Sequence, residues 1–252
     1  MELPKAQGLQ RRAAVLVAFS AVALLLIGCD RSSQTKDKSG SAGASAAHPG
    51  TISGRVVFSG TPPELPRLNT SAVPTCNHPG GLPDESIVIG NNGALANVIV
   101  YLKEAPKAEG PSRPPAVLDQ VECQYVPHVV AVQAGQPLQV KSSDQMLHNV
   151  HIADADPPVN LAFTGQQQHD FTFKKPGFYK VKCDVHPWMT SWVGVIDSPC
   201  FAVTGDDGSF KITNVPPGSY TLVAWQEKFG ELTQPVTVGA DGTVKADFEY
   251  KK

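Results

Sequence analysis

The chain has 252 residues, a formal net charge of -2, 22 Gly, 22 Pro and 5 Cys. That length accommodates one large or two small domains with enough apolar content for a core. A near-neutral balance, with no Lys/Arg cluster in the body of the chain, argues against nucleic acid as a partner. Short runs rich in Val, Thr, Phe and Tyr alternate with Gly, Pro and Asp turns, which predicts an all-β fold.

Lys5, Arg11 and Arg12 precede an apolar run, Ala13 to Ile27, that is short for a membrane span. The run closes on Leu26-Ile27-Gly28-Cys29 and a polar tail follows. This ending resembles the lipobox of bacterial lipoproteins. The resemblance implies cleavage before Cys29, lipidation of Cys29, export, and a lipid anchor in the cell envelope, at the periplasmic face or the cell surface. An ordinary secretory signal or an uncleaved anchor is the alternative. Residues 1–28 are therefore expected to be a signal peptide and 29–50 a flexible tether, since Asp30 to Gly50 has almost no large apolar residue to bury.

Strand patterns then follow in order. Thr51 to Phe58 is the first, and a Pro-rich loop leads from it to Cys76. Ser86 to Ile89 is a short strand before the Asn91-Asn92-Gly93 turn, and Ala96 to Leu102 is a strong one. Pro111 to Pro115 breaks the pattern. Gln124 to Val126, Val129 to Val132, Pro137 to Lys141, His148 to Ile152, Gln166 to Phe173, Phe178 to Cys183 and Trp192 to Ile196 come next. Phe201 to Val203, Ser209 to Ile212, Ser219 to Trp225, Val236 to Val238 and Val244 to Tyr250 complete the series.

The run Asp206 to Gln226, DDGSFKITNVPPGSYTLVAWQ, resembles the carboxypeptidase regulatory-like (transthyretin-like) β-sandwich family. That family opens with two further strands, whose counterparts are Ser53-Gly54-Arg55-Val56 and Ala96-Asn97-Val98-Ile99-Val100. Both lie far upstream, so the intervening segment reads as an insertion. The expected division is residues 51–105 with 199–252 as a discontinuous prealbumin-like sandwich, and 106–198 as the inserted or adjacent module. Three consecutive β units, or one merged sandwich, are the alternatives.

Within that segment, Cys183, His186 and Met189 place a thiolate, an imidazole and a thioether in one loop, a donor set suited to a soft metal. A mononuclear copper electron-transfer site needs a second imidazole, and His148 is the natural candidate from another strand. Asn149 beside it can hydrogen-bond the backbone of the thiolate loop. Singly, each residue has an ordinary reading as core packing or surface; it is their combination that points to metal. His151 sits three residues from His148, so strand alternation turns it to the other face.

Ser143-Asp144-x-x-x-His148-Asn149-Val150, Gly177-Phe178-Tyr179 and Cys183-x-x-His186-Pro187-x-Met189 resemble the type 1 copper site of cupredoxins, with loop spacing like that of amicyanin. The resemblance implies a Greek-key β-sandwich and one copper ion. His148, Cys183 and His186 would be equatorial ligands and Met189 the axial one, with Asn149 and Pro187 supporting them. The segment Ala153 to Thr164 has no counterpart and is expected as a longer loop at the site's rim.

Cys76 and Cys123 are the favoured disulfide pair, with Cys76–Cys200 and Cys123–Cys200 left open. The expected function is a membrane-anchored one-electron carrier, not an enzyme. Its redox protein partner would dock near Trp188 and an exposed edge of His186. Copper storage without electron transfer, or a carbohydrate- or protein-binding surface module, are the other readings.

Overall fold

Apolar side chains at every second position, facing one way, decide this architecture: β1 buries Ile52, Val56 and Phe58 while its other face is partly open. The structure, a computed structural model, describes residues 48–107 and 113–251. The expected signal peptide, Cys29 and almost all of the tether lie outside the described residues. The strands are β1 (Gly50–Ser59), β2 (Ile99–Leu102), β3 (Ala116–Val121), β4 (Gln124–Val126), β5 (Val129–Gln133) and β6 (Pro137–Ser142). After these come β7 (Leu147–Ile152), β8 (Val159–Thr164), β9 (Gln167–Thr172), β10 (Gly177–Lys182) and β11 (Thr190–Ile196). The last are β12 (Phe201–Val203), β13 (Ser209–Val215), β14 (Gly218–Gln226), β15 (Gly230–Val238), β16 (Thr243–Lys245) and β17 (Phe248–Lys251). Helix among the described residues is limited to two 3-10 turns, Pro74–Cys76 and Asn91–Gly93. No helix there is long and apolar enough to cross a membrane.

Four sheets form two pairs. One pair has the orders β13-β1-β16, with β17 also on β1, and β12-β2-β14-β15. Its core includes Ile52, Val56, Phe58, Leu102, Phe210, Ile212 and Leu222. The other pair has the orders β5-β11-β10-β7-β8 and β4-β3-β6-β9, around Leu118, Tyr125, Leu138, Val150, Phe163, Val181 and Val193. Every strand from β3 to β11 pairs only within the second set. The chain leaves the first sandwich after β2 and re-enters it at β12, and those two strands are hydrogen-bonded neighbours, with Tyr101 opposite Phe201. A segment whose two ends meet side by side can be long without disturbing its host.

The two sandwiches meet through Ile99, Val129, Ile196 and Trp225. Phe178 stacks on Trp225 with ring centroids 4.1 Å apart, and Trp192 meets Trp225 edge-on at 5.2 Å. Gly194 of β11 permits this approach: a Cβ there would lie 2.3 Å from Cδ1 of Ile99. Gly54 plays the same part inside the first sandwich, where a Cβ would fall 1.7 Å from the Ala246 carbonyl oxygen. One turn device recurs in both: in each Pro-Gly-x-Tyr run the tyrosine hydroxyl donates back to the carbonyl four residues before it. Tyr179 reaches Lys175 and Tyr220 reaches Pro216, both at 2.8 Å.

The structure departs from the strand pattern in several places. Ser86 to Ile89 is not a strand; only an isolated bridge joins Ile89 to Leu95. Ala116–Val121 is a strand directly after the proline cluster, pairing in parallel with β6. Ala153 to Thr164 is not simply a longer loop, because 159–164 form β8, antiparallel to β7 from Leu147↔Thr164 to Ile152↔Val159. Val159, Leu161 and Phe163 face inward while Asn160, Ala162 and Thr164 face solvent. Within 51–105, Val73 and Cys76 pack in the core of the second sandwich and not with the strands that flank them. Cys76 is disulfide-bonded to Cys123, 47 residues away. A covalent loop of that length stabilises by about 4 kcal/mol on a chain-entropy estimate. Cys183 and Cys200 are free and buried.

Candidate metal centre

His148 is the second residue of β7, where the strand turns His148, Val150 and Ile152 into the core. β10 ends at Lys182 and delivers Cys183 to the start of a tight loop. That loop closes on itself: the Cys183 N–H donates to the Met189 carbonyl at 3.2 Å, and the Met189 N–H to the His186 carbonyl at 2.9 Å. Asn149 ties the two elements together. Its Oδ1 accepts from the Asp184 N–H at 2.6 Å and its Nδ2 donates to Asp184 Oδ2 at 2.9 Å. Tyr125 adds a hydroxyl bond to the Asn149 carbonyl at 2.5 Å and to that of Lys182 at 3.2 Å.

These supports bring three donors to one point. Nδ1 of His148 lies 3.0 Å from Nδ1 of His186, and Sγ of Cys183 lies 3.7 Å from the same His186 nitrogen. All three side chains are buried. Metal–nitrogen bonds of about 2.0 Å and metal–sulfur bonds of about 2.3 Å separate paired donors by roughly 3–4 Å, so the spacing fits one ion. Two imidazoles and a thiolate are the donors that copper and zinc share. The thioether next in the loop suits copper better than zinc.

Asp144 fixes which nitrogen His148 offers. Its Oδ2 lies 2.9 Å from Nε2 of His148, leaving Nδ1 to face the other donors. The same carboxylate accepts from the backbone N–H groups of Glu122 and Cys123, at 2.8 and 2.9 Å. Those two residues form the β3–β4 turn and both have positive φ, 51° and 58°. Such turns favour Asn-Gly, so Glu-Cys stores strain that the carboxylate holds in place.

The electrostatics suit a cation. Burial lowers the His148 pKa, but hydrogen bonds to Cys183 and Asp144 outweigh it and the net shift is upward. Burial raises the Cys183 thiol, yet His148 and the backbone amides of Asn149, His186 and Val185 leave it below its ordinary value. Burial and then the neighbouring His148 charge lower His186, which favours the neutral ring that can ligate a metal. A thiolate and a carboxylate around two imidazoles favour positive charge between them, whether proton or metal ion.

The sequence-predicted residues sort as follows. His148, Cys183 and His186 are brought together. Met189 is buried beside them through the backbone bonds just described. Asn149 holds the thiolate loop and Pro187 is exposed on its rim. The expectation of an exposed His186 edge is corrected: the ring is 2% exposed, and its Nε2 faces Sγ of Cys76 at 3.5 Å. The loop carrying Cys76 crosses over the ring, and nothing in the spacing of Cys76 indicated this. His151 stays outside, bonded to Asp184 at 2.9 Å. His128, without a role in the sequence, pairs with Glu227 between the two sandwiches. The sequence assigned Asp144 no role of its own, although it stands in the Ser143-Asp144-x-x-x-His148 segment that resembles the copper-site motif.

Residues 198–251 match the family model of the carboxypeptidase regulatory-like domain. Among curated proteins, no sequence matches the chain. Solved structures resemble part of it, among them the following three. Amicyanin from Paracoccus versutus is 22% identical, with 38% of this chain and 96% of that one covered and a TM-score of 0.30. A purple cupredoxin from Nitrosopumilus maritimus is 20% identical, covering 32% and 98%, with a TM-score of 0.28. A copper-containing nitrite reductase from Thermus scotoductus is 21% identical, covering 36% of this chain but only 24% of the enzyme, with a TM-score of 0.31.

Proposed function

We propose that this chain binds one copper ion at His148, Cys183 and His186, with Met189 as a weak fourth donor, and carries single electrons. The observation that carries this reading is the convergence of two Nδ1 atoms and one sulfur in a buried, hydrogen-bonded frame. Copper held there would alternate between Cu(I) and Cu(II). The protein's part is to keep the donors fixed in both states: Asp144 holds one ring, Asn149 and Tyr125 hold the thiolate loop, and Trp188 clamps the loop by donating to the Cys123 carbonyl at 3.0 Å. Little then rearranges when an electron moves.

Electrons would pass through the half-exposed Trp188 ring, 5.2 Å from that of His186, to a redox protein docked on the apolar rim. Leu147 and Val185, 48% and 42% exposed, each precede a ligand and form that rim. In this reading Cys29 carries a lipid and residues 29–50 tether the carrier to the exported face of a bacterial envelope membrane. It acts as a carrier and not as a catalyst. The test is voltammetry of the copper-loaded protein: a reversible one-electron couple with fast exchange is expected, and an irreversible or absent couple would contradict it.

One observation favours a second reading, copper storage without electron transfer. The Nε2 edge of His186 is closed off by Cys76. Slow self-exchange with tight Cu(I) retention would select it.

A further inference from the structure

We infer that Cys76 and Cys123 form a second soft-metal site, latent while they are joined as a disulfide. Three observations carry this. Sδ of Met146 lies 3.3 Å from Sγ of Cys76 and 3.3 Å from Sγ of Cys123. Nε2 of His186 lies 3.5 Å from Sγ of Cys76. The two sulfurs and the imidazole nitrogen fall within one metal-sized cluster, all of them buried. Two thiolates and a thioether are donors that Cu(I) prefers, and an imidazole N–H against one sulfur favours its ionised form. A structural disulfide needs neither a thioether over both sulfurs nor an imidazole edge against one.

The pair is also placed to be opened. Cys76 and Cys123 are 2% and 1% exposed, yet Thr75, Asn77 and Glu122 beside them lie at the surface. Cys123 sits at a positive φ of 58°, a conformation disfavoured for a residue with a side chain. Reduction by an external thiol reductant balances simply. The Sγ–Sγ bond breaks, two electrons and two protons arrive, two thiols form, and the reductant leaves as its own disulfide. On binding Cu(I) the thiol protons pass to solvent and two copper–sulfur bonds form. With Nδ1 of His186 turned to the first site, Nε2 keeps the ring proton and donates toward Sγ of Cys76, so the second ion is held by the two thiolates and the Met146 thioether.

The experiment counts Cu(I) equivalents by competition with a chromophoric Cu(I) chelator, without oxygen, before and after phosphine reduction and desalting. The wild-type chain is expected to bind one equivalent oxidised and two reduced. Cys183→Ser should bind none oxidised and one reduced, and the double variant C76S/C123S one under both conditions. Met146→Ala should weaken the added equivalent at least tenfold and leave the first unchanged. If the first site fails, the oxidised wild type and Cys183→Ser bind alike, which leaves the reduction-dependent equivalent to be read by itself. The inference is overturned if reduction adds no equivalent, if the added one survives in C76S/C123S, or if circular dichroism shows loss of the sheets on reduction.

Discussion

The Asp144 carboxylate binds Nε2 of His148 at 2.9 Å while also receiving the backbone N–H groups of Glu122 and Cys123. One side chain thus orients a proposed ligand and pins the turn that carries half of the disulfide. Asp144→Ala is expected to weaken copper affinity by about ten- to a hundredfold, as loss of a group orienting a ligand does. Chelator competition measures this. An affinity equal to the wild type would remove Asp144 from the site.

Met189 is the least constrained of the proposed donors, since its burial alone is compatible with core packing. Met189→Gln should shift both the visible band and the reduction potential of the copper protein. If both stay where they were, Met189 is packing and not a ligand.

Gly194 allows Ile99 to close the junction between the sandwiches. Gly194→Ala should destabilise the chain by about 1–3 kcal/mol through overpacking. Ile99→Ala costs about 2–5 kcal/mol by itself, but the double variant should lose less than the two single losses combined, because the second change removes the clashing methyl. Urea unfolding of the four chains measures the coupling. Strictly additive losses would mean that the junction does not depend on this contact.

Asp207 in the first sandwich has its carboxyl held below the usual range by the backbone and hydroxyl of Ser209 and by Arg55. A carboxylate depressed in the folded state stabilises above its unfolded pKa. That contribution is lost as pH falls through the folded value. Stability should therefore decline on the acid side, and less steeply in Asp207→Asn, when urea midpoints are compared at neutral and acid pH. Equal slopes in the two chains would contradict this cause.

Much of this was readable from the chain because it is local. The Cys183-to-Met189 spacing and Asn149 beside His148 keep their meaning wherever the strands go, and the Asp206-to-Gln226 run marks its own family. What escaped depends on distant approach. Nothing near Cys76 signals that its loop crosses over His186, and Met146 reads as filler until two sulfurs are placed beside it. β8 alternates inward Val159, Leu161 and Phe163 with outward residues, but it lies in the segment with no counterpart in the resembling family, which reads as a loop. β3 was hidden because it begins directly after the proline cluster and pairs with a strand beyond two intervening elements.

Joint binding of one copper ion by Cys183 and the two histidines can be read from the visible spectrum. Addition of Cu(II) to the purified chain should produce an intense thiolate-to-copper charge-transfer band that saturates at one equivalent. Cys183→Ser should abolish the band while the circular dichroism of the sheets is unchanged. A wild-type chain that stays colourless with bound Cu(II), or a Cys183→Ser chain that keeps the band, would contradict the account.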